Sequence, residues 1–403
     1  MRTNLGLCIA AVLLALVGQG AAARESSSSG QDVARLEARL AATPADQTLM
    51  QDLAHALLAD VRAGGSAQQL AHAESLVDRL LAAHAPRADA LDAWRLLIAH
   101  RFDDALAAAR RARAAGDEEL LAVASEADAL TELGRYDEAE AVVQQLLDRH
   151  YGIAALARAS HLRFLFGDLD GALELARSAL ADSRPGIDRA WLQLDLADLE
   201  LAAGAPELAL QLATEAVAEL PAPALAMQAR AQLVNGDRYA ALALYRVATD
   251  KVLRADTLLE VWRLARELDE RKQANKSGAL LAGLARLDLA SGGRDRRSFV
   301  EYQLDNDDLA SAEALARAEW QGRPDVYGAA QLAWVLHRAG KHDEARAYAA
   351  RAVREGTPDP LLQWRAGTVL AAAGEARGAA LVAAAHARNP RLGSAPPALA
   401  ARP

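Results

Sequence analysis

A small residue recurs along the chain at intervals close to 34 residues, and this spacing constrains the fold more than any other feature. In most cases the residue follows a turn that contains a glycine or an acidic residue. The recurring residues are Ala73, Ala105, Ala139, Ala172, Ala209, Ala241, Ala312, Ala345 and Ala379. The interval from Ala241 to Ala312 is 71 residues, about two periods, and it predicts one degenerate unit whose second helix starts near Ala274. A constant period of this length indicates one supersecondary unit repeated along the chain.

Residues 329–353, AAQLAWVLHRAGKHDEARAYAARAV, show the unit most clearly. A first helix is predicted, with an apolar face formed by Ala329, Leu332, Ala333 and Leu336. Gly340 is predicted to end that helix, because a helix commonly closes on a glycine with a positive φ. A turn follows, and a second helix is predicted from Glu344, with Ala345, Ala349 and Ala352 on its buried face. Neither helix can bury its apolar face alone, so the unit needs neighbours.

This pattern resembles the tetratricopeptide repeat family. The segment Gly134–Ala139, GRYDEA, reproduces the central turn of that family closely, and about 345 residues follow the repeat. Further small residues fall where helices approach each other, namely Ala93, Ala127, Ala197, Ala229, Ala333 and Gly367 in first helices and Ala112, Ala179, Ala216, Ala248 and Ala352 in second helices. Close approach of antiparallel helices requires little side-chain volume at the crossing point. Leu146, Glu319 and His386 depart from the pattern.

The predicted fold class is therefore all-α, an α-solenoid (a right-handed superhelix, as the resemblance implies) of about ten helix pairs. The predicted organisation is a leader at 1–23, a flexible start with a leading cap helix at 24–44, a repeat array at 45–250, a second array at 309–390 and a disordered tail at 391–403. Residues 251–308 lack the usual glycine turn. We interpret them as a degenerate repeat, with an interruption between two half-arrays as the alternative.

The first residues have the features of a cleaved signal peptide. Arg2 precedes an apolar run from Leu5 to Val17, and the small residues at 21–23 offer a cleavage site. The apolar run is shorter than the roughly 20 residues that a membrane-spanning helix needs. We therefore expect cleavage after Ala23, export to the periplasm and no stable membrane anchor. The formal net charge of -9 disfavours nucleic acid as a partner.

The sequence contains no motif that indicates catalysis. There is no G-x-S-x-G elbow, no phosphate-binding G-x-x-x-x-G-K and no H-E-x-x-H. The histidines are scattered, and none lies three or four residues from another. The sequence accordingly predicts no enzyme, no cofactor and no metal site.

In the resembled family, the first helices line a concave groove that accepts peptide segments or a partner's helix. Carried onto this sequence, the resemblance predicts candidate groove residues at Tyr327, Trp334, His337, Arg338, Trp364, Arg365, Arg230 and Asp198. Tryptophan, tyrosine and arginine are common interface anchors. Packing between repeats is the alternative interpretation of Trp334 and Trp364.

The predicted function is an exported scaffold or adaptor that binds protein or peptide partners in a cell-envelope complex. Two alternatives remain open. One is a periplasmic protein that binds, or acts on, a small molecule or glycan through residues 251–308, which a deep pocket of perturbed carboxylates there would favour. The other is an accessory subunit of a polysaccharide-export or pilus-assembly machine.

Overall fold

The computed structural model describes residues 29–117, 119–291 and 294–393. The predicted leader at 1–23 and most of the predicted tail, residues 394–403, lie outside these residues. So do Gly292 and Gly293.

The described residues form 21 helices and no strand. The helices are α1 (Ser29–Ala42), α2 (Gln47–Arg62), α3 (Ala67–Ala82), α4 (Ala88–Ile98), α5 (Phe102–Ala114), α6 (Leu120–Glu132), α7 (Tyr136–Arg149), α8 (Ile153–Leu165), α9 (Leu169–Asp182), α10 (Ile187–Ala203), α11 (Pro206–Ala216), α12 (Pro221–Asn235), α13 (Arg238–Lys251), α14 (Ala255–Glu267), α15 (Arg271–Ser291), α16 (Arg297–Asp305), α17 (Leu309–Gly322), α18 (Val326–Arg338), α19 (His342–Ala352), α20 (Pro360–Ala372) and α21 (Ala376–Arg388). After α1 they follow one another as ten pairs, from α2/α3 to α20/α21. The predicted all-α fold of repeated helix pairs is confirmed.

All of the recurring small residues except Ala379 are buried at the contacts between helices, as predicted. Ala105, Ala139, Ala209 and Ala345 each have no exposed surface, and the small residues of the first helices are buried as well. Leu146 and Glu319, which depart from the pattern, are also buried. Each pair is therefore held by contact between alanine-rich helix faces.

The last pair, α20/α21, differs from the predicted register by one residue. Gly378 and Ala385 are buried, whereas Ala379 and His386 are exposed. A Cβ atom placed on Gly378 would lie 2.6 Å from the carbonyl oxygen of Gly367. The two backbones approach so closely that only glycine fits, and this contact sets the register of α21.

Turns between paired helices require a residue with positive φ. Gly340 has φ +76°, as predicted, and ends the first helix of its pair. The second helix, α19, begins at His342, two residues earlier than predicted, and Asp343 and Glu344 lie in its first turn. Carboxylates there favour the helix start because they face the positive end of its dipole.

Residues 251–308 form one helix pair, α14/α15, followed by α16. The turn without glycine is made by Asp269, whose φ is +57°; aspartate tolerates this region better than most residues. Helix α15 has 21 residues, more than any other described helix. Trp262 of α14 packs edge-on against Tyr302 of α16, with ring centroids 4.8 Å apart.

The described residues divide into two compact units. The N-terminal unit contains residues 29–159 and 177–192, and the C-terminal unit contains residues 160–176 and 193–393. In the C-terminal unit the chain continues past α21, where Leu392 is buried and Arg391 donates hydrogen bonds to the carbonyl oxygens of Val234 and Asn235, both at 3.1 Å.

Candidate functional site

The C-terminal unit contains a partly enclosed cavity of about 120 Å³ that is lined by both apolar and charged side chains. Nearly all of the charged side chains come from the first helix of a pair. They are Asp198 of α10, Arg230 of α12, Glu260 of α14, Arg297 and Glu301 of α16 and Arg365 of α20, together with Asp359 just before α20. Tyr245, Tyr327, Gln331 and Asn389 complete the polar part of the lining.

The repeat itself explains why these residues meet. Asp198, Arg230, Arg263, Arg297, Gln331 and Arg365 are separated by 32, 33, 34, 34 and 34 residues, so they occupy corresponding positions in successive first helices. A period that matches the repeat length places corresponding side chains on the same side of neighbouring units. Five of these six side chains line the cavity, and the sixth, Arg263, donates hydrogen bonds to the lining residues Glu260 and Glu301.

Glu301 is the centre of this wall and is only 1 % exposed. Arg365 donates two hydrogen bonds to its carboxylate, from Nη1 to Oε1 at 2.8 Å and from Nη2 to Oε2 at 2.7 Å. Arg263 Nη2 adds a bond to Oε2 at 2.9 Å, and Gln331 Nε2 adds one to Oε1 at 2.8 Å. Burial raises the pKa of Glu301, but the two guanidinium groups and these hydrogen bonds together lower it to about 2. Glu301 is therefore ionised at neutral pH.

Arg263 connects this carboxylate to two others. Its Nη1 donates to Glu260 Oε1 at 2.7 Å, and its Nε donates to Asp305 Oδ2 at 2.5 Å. Burial lowers the pKa of Arg263, but the three carboxylates outweigh burial and hold it well above its ordinary value. Burial raises the pKa of Glu260, and Arg263 offsets that effect only in part.

Elsewhere in the lining, Arg230 Nη1 forms an ion pair with Asp198 Oδ1. Asp359 Oδ1 accepts a hydrogen bond from the backbone N–H of Leu362 at 2.7 Å and so caps helix α20. Burial raises the pKa of both Asp198 and Asp359, and Arg230 opposes this effect in both. The charge of Asp359 raises the pKa of Asp198 further. These two carboxylates are less well stabilised as anions than Glu301.

Arg297 closes one side of the cavity. Its Nη2 donates to Asp325 Oδ1 at 2.6 Å, and its Nε lies 3.3 Å from Glu319 Oε1. Glu319 stands where the repeat normally has a small residue, and its Oε2 also accepts from the backbone N–H of Arg296 at 3.1 Å. The departure from the repeat pattern therefore supplies a partner for a buried arginine.

Four of the eight predicted groove residues line the cavity, namely Asp198, Arg230, Tyr327 and Arg365. The other four lie elsewhere in the same unit. Trp334 is 1 % exposed because the rings of Trp364 and His337 cover it, with centroids 5.0 Å and 5.7 Å away. Arg338 Nη2 donates to Asp307 Oδ1 at 3.0 Å, and its side chain is 30 % exposed. Trp334 and Trp364 thus pack between repeats, and any binding role for these four residues stays a prediction.

The sequence interpretation missed seven charged or polar lining residues. They are Tyr245, Glu260, Arg297, Glu301, Gln331, Asp359 and Asn389. One available signal is the spacing of 33 or 34 residues from Arg230 through Arg263, Arg297 and Gln331 to Arg365. No comparable signal marks Glu301, because a glutamate on a short amphipathic helix is usually solvated.

No family model matches the chain, and no curated protein matches it. Solved structures do resemble it. A human IFIT1 dimer with m7Gppp-AAAA has 14% sequence identity and a TM-score of 0.47, with 81% of this chain and 86% of that chain covered. The Cut9–Hcn1 hetero-tetramer of APC/C has 15% identity and a TM-score of 0.48 over 94% and 77% of the two chains. The type IV pilus biogenesis factor PilW has 20% identity and a TM-score of 0.41 over 49% and 92%.

The helix pairs are tetratricopeptide-like. Their length, the buried alanine at each crossing and the glycine turn after the first helix all agree with that repeat.

No helix among the described residues is long and apolar enough to cross a membrane. No group of three or more histidine, cysteine, aspartate or glutamate side chains among them has an arrangement that would hold a metal ion.

Proposed function

We propose that the protein is an exported interaction scaffold that holds a segment of a partner protein in the cavity of the C-terminal unit. The observation that supports this most directly is the origin of the lining. Successive first helices, from α10 to α20, each contribute at least one polar side chain to one cavity. An extended segment lying across these helices contacts several repeats at once, which is how repeat arrays build long binding surfaces.

A cavity-filling substitution tests this function. Ala330 lines the cavity and is 3 % exposed, so Ala330→Leu places three further carbon atoms in it. Ala310→Leu, on the exposed side of α17, is the matched control. Both variants and the parent protein are to be probed with an array of random peptides.

We expect the parent and Ala310→Leu to bind the same discrete set of peptides, and Ala330→Leu to bind them at least tenfold more weakly. Thermal melting shows whether Ala330→Leu is folded, because overpacking costs about 1–3 kcal/mol. Peptide binding that survives in a folded Ala330→Leu protein contradicts the proposed site.

We further propose a periplasmic location and an envelope complex, on the basis of the signal-peptide features at 1–23. Fractionation of the native host followed by N-terminal sequencing tests both. The expected product is recovered from the periplasm and begins at Arg24. Recovery of the uncleaved chain from the cytoplasm contradicts export.

A second candidate function is the binding of a small molecule or glycan. It is favoured by the position of Glu260 and Glu301, two cavity carboxylates with shifted pKa values that lie in the segment 251–308. Calorimetry with simple mono- and oligosaccharides tests it. Saturable heat with a sugar that Ala330→Leu abolishes favours this function over the peptide scaffold.

A further inference from the structure

The charges that line the cavity are not balanced. Glu301 is matched by Arg365 and shares Arg263. Arg263 donates hydrogen bonds to three carboxylates, because Glu260 and Asp305 also accept from its guanidinium group. Arg297 is neutralised from outside the lining by Asp325 and Glu319.

The remaining charged groups are one guanidinium and two carboxylates. Arg230 pairs with Asp198. Asp359 accepts from the backbone at Leu362 and forms no ion pair with a guanidinium in the described part of the chain. The network of three arginines, Arg230, Arg263 and Arg365, therefore faces five carboxylates, an excess of two negative charges. The carboxylates are Asp198, Glu260, Glu301, Asp305 and Asp359.

The groups with the least compensation are also the ones that interact across the cavity. The charges of Asp198 and Asp359 act on each other, and Glu260 acts on Tyr245, which in turn interacts with Arg230. Burial raises the pKa of all three carboxylates, which means that each is short of positive charge or donors in its ionised form. A bound cation supplies both.

A second, independent feature points in the same direction. Gln331 is 6 % exposed and lines the cavity; its Nε2 donates to Arg297 and Glu301, but within the described residues its Oε1 oxygen has no hydrogen-bond partner. A buried acceptor without a donor is destabilising. An N–H group of a ligand can satisfy it.

The lining also contains features that favour a peptide over a free cation. Arg365 Nε is buried and has no partner in the described structure, so the cavity can also receive one acceptor atom, such as a peptide carbonyl oxygen. Tyr245 and Tyr327 also line the cavity, and the ring of Tyr327 already lies 5.9 Å from the guanidinium carbon of Arg297, so this wall accommodates a cation beside an aromatic ring. A volume of 120 Å³ approaches the roughly 150 Å³ that holds a benzene molecule in a protein interior, which suits the end of one side chain.

We propose that this cavity binds the lysine or arginine side chain of an extended peptide segment. Asp359 and Glu260 face its cationic group, and Gln331 Oε1 accepts a hydrogen bond from one of its N–H groups. This inference rests on the proposed scaffold function and specifies the chemistry of its ligand. Among the described residues no group of three or more histidine, cysteine, aspartate or glutamate side chains is arranged to hold a metal ion.

The test compares end-blocked pentapeptides that differ only at the central residue. In acetyl-AAXAA-amide, X is lysine, arginine, norleucine, citrulline or glutamate, and binding to the full mature chain is measured by calorimetry. We expect the lysine or arginine peptide to bind at least tenfold more tightly than its uncharged analogue and the glutamate peptide not to bind. A free cation, butylammonium or spermidine, is added as competitor and is expected to compete at least tenfold less well than the peptide.

Three variants connect the preference to the proposed residues. Asp359→Asn retains the helix cap, because asparagine also caps helices well, and Glu260→Gln retains an acceptor oxygen for Arg263. Each is expected to weaken lysine-peptide binding at least fivefold and to leave norleucine-peptide binding unchanged. Asp308→Asn, a helix-capping aspartate outside the cavity whose side chain accepts from Ser311, is the matched control and is expected to change neither.

The outcomes separate this inference from the function on which it rests. If charged and uncharged peptides bind equally well and Ala330→Leu still abolishes that binding, the cation site is overturned and the scaffold function stands. If spermidine or butylammonium binds as tightly as the peptide, the proposal that the cation belongs to a peptide is overturned. Absence of binding by every probe, together with no effect of Ala330→Leu on the peptide array, overturns both proposals.

Discussion

Both units bury an arginine against a carboxylate, but they combine the charges differently. In the N-terminal unit Arg158 donates two bonds to Asp128, from Nε at 2.8 Å and from Nη2 at 2.7 Å, and both side chains are 2 % exposed. One guanidinium is bonded to this carboxylate, and the charge of Arg62 also acts on it. In the C-terminal unit Glu301 belongs to a network with more carboxylates than guanidiniums, and it lines a cavity. We therefore base the proposed site on this charge imbalance beside a cavity and not on buried charge alone.

The largest expected effect comes from the centre of the network. Glu301→Gln leaves Arg263 and Arg365 buried without their shared anion, and breaking a buried ion pair costs about 3–5 kcal/mol. Hydrogen exchange of peptides from 255–305 measures this loss of stability within the C-terminal unit. Glu313→Gln, which breaks a half-exposed pairing with Lys341, is the control and is expected to cost less than about 1 kcal/mol. Equal losses in the two variants contradict the central role of Glu301.

Trp334→Ala separates packing from binding in the C-terminal unit. Because Trp334 is 1 % exposed and lies against Trp364, truncation is expected to cost about 3–5 kcal/mol of unfolding free energy. Arg338→Ala, which removes a surface ion pair with Asp307, is expected to cost below about 1 kcal/mol. Urea unfolding measures both losses of unfolding free energy. A small loss for Trp334→Ala together with lost peptide binding contradicts the packing role and supports a binding role for Trp334.

A double substitution tests whether the pair in the N-terminal unit is self-contained. Arg158→Met alone leaves Asp128 buried and unpaired, with an expected cost of about 3–5 kcal/mol. The double variant with Asp128→Leu is expected to recover most of this, because apolar residues replace matched buried pairs well. Urea unfolding of the parent, both single variants and the double variant gives the coupling free energy. A double variant as unstable as Arg158→Met shows that Asp128 and Arg158 also interact with other residues.

The C-terminal unit is also expected to lose stability in acid through His161. Burial lowers the pKa of this histidine to about 4. The charge of Asp325 raises the pKa and that of Arg323 lowers it, and both effects are smaller than that of burial. A folded-state pKa below the ordinary value of about 6.5 means that the unfolded chain takes up a proton first. Stability from this group is complete above about pH 6.5 and is lost as the pH falls to 4, by up to about 3 kcal/mol.

Unfolding free energies of the parent and of His161→Gln, measured from pH 7.5 to 4, test this expectation. The stability of the parent relative to the variant is expected to fall by up to about 3 kcal/mol between pH 7.5 and 4, since the variant lacks the titrating group. Parallel curves contradict it.

The sequence predicted the repeat better than the site because the two depend on different information. Ala105, Ala139 and Ala345 mark helix crossings that depend only on spacing within the chain, and all three are buried. The register of α21 was displaced because close backbone contact at Gly378 outweighs the alanine beside it.

The site depends on contacts between distant repeats. Trp334 and Trp364 cover each other across two repeats, and a helical pattern does not show which neighbour covers an aromatic side chain. Glu301 looks like an ordinary surface glutamate until Arg365, 64 residues later, lies against it. The corresponding positions of Arg230, Arg263 and Arg365 were available in the sequence as a spacing, but their partners were not.

The most direct test of the difference between the two units is hydrogen exchange of the full mature chain with and without the lysine pentapeptide. Binding at the charged cavity is expected to slow exchange in α12, α14, α16, α18 and α20 and to leave residues 47–149 of the N-terminal unit unchanged. Protection confined to residues 47–149, or no protection in the C-terminal unit at a peptide concentration that saturates binding, contradicts the assignment of the site to the cavity.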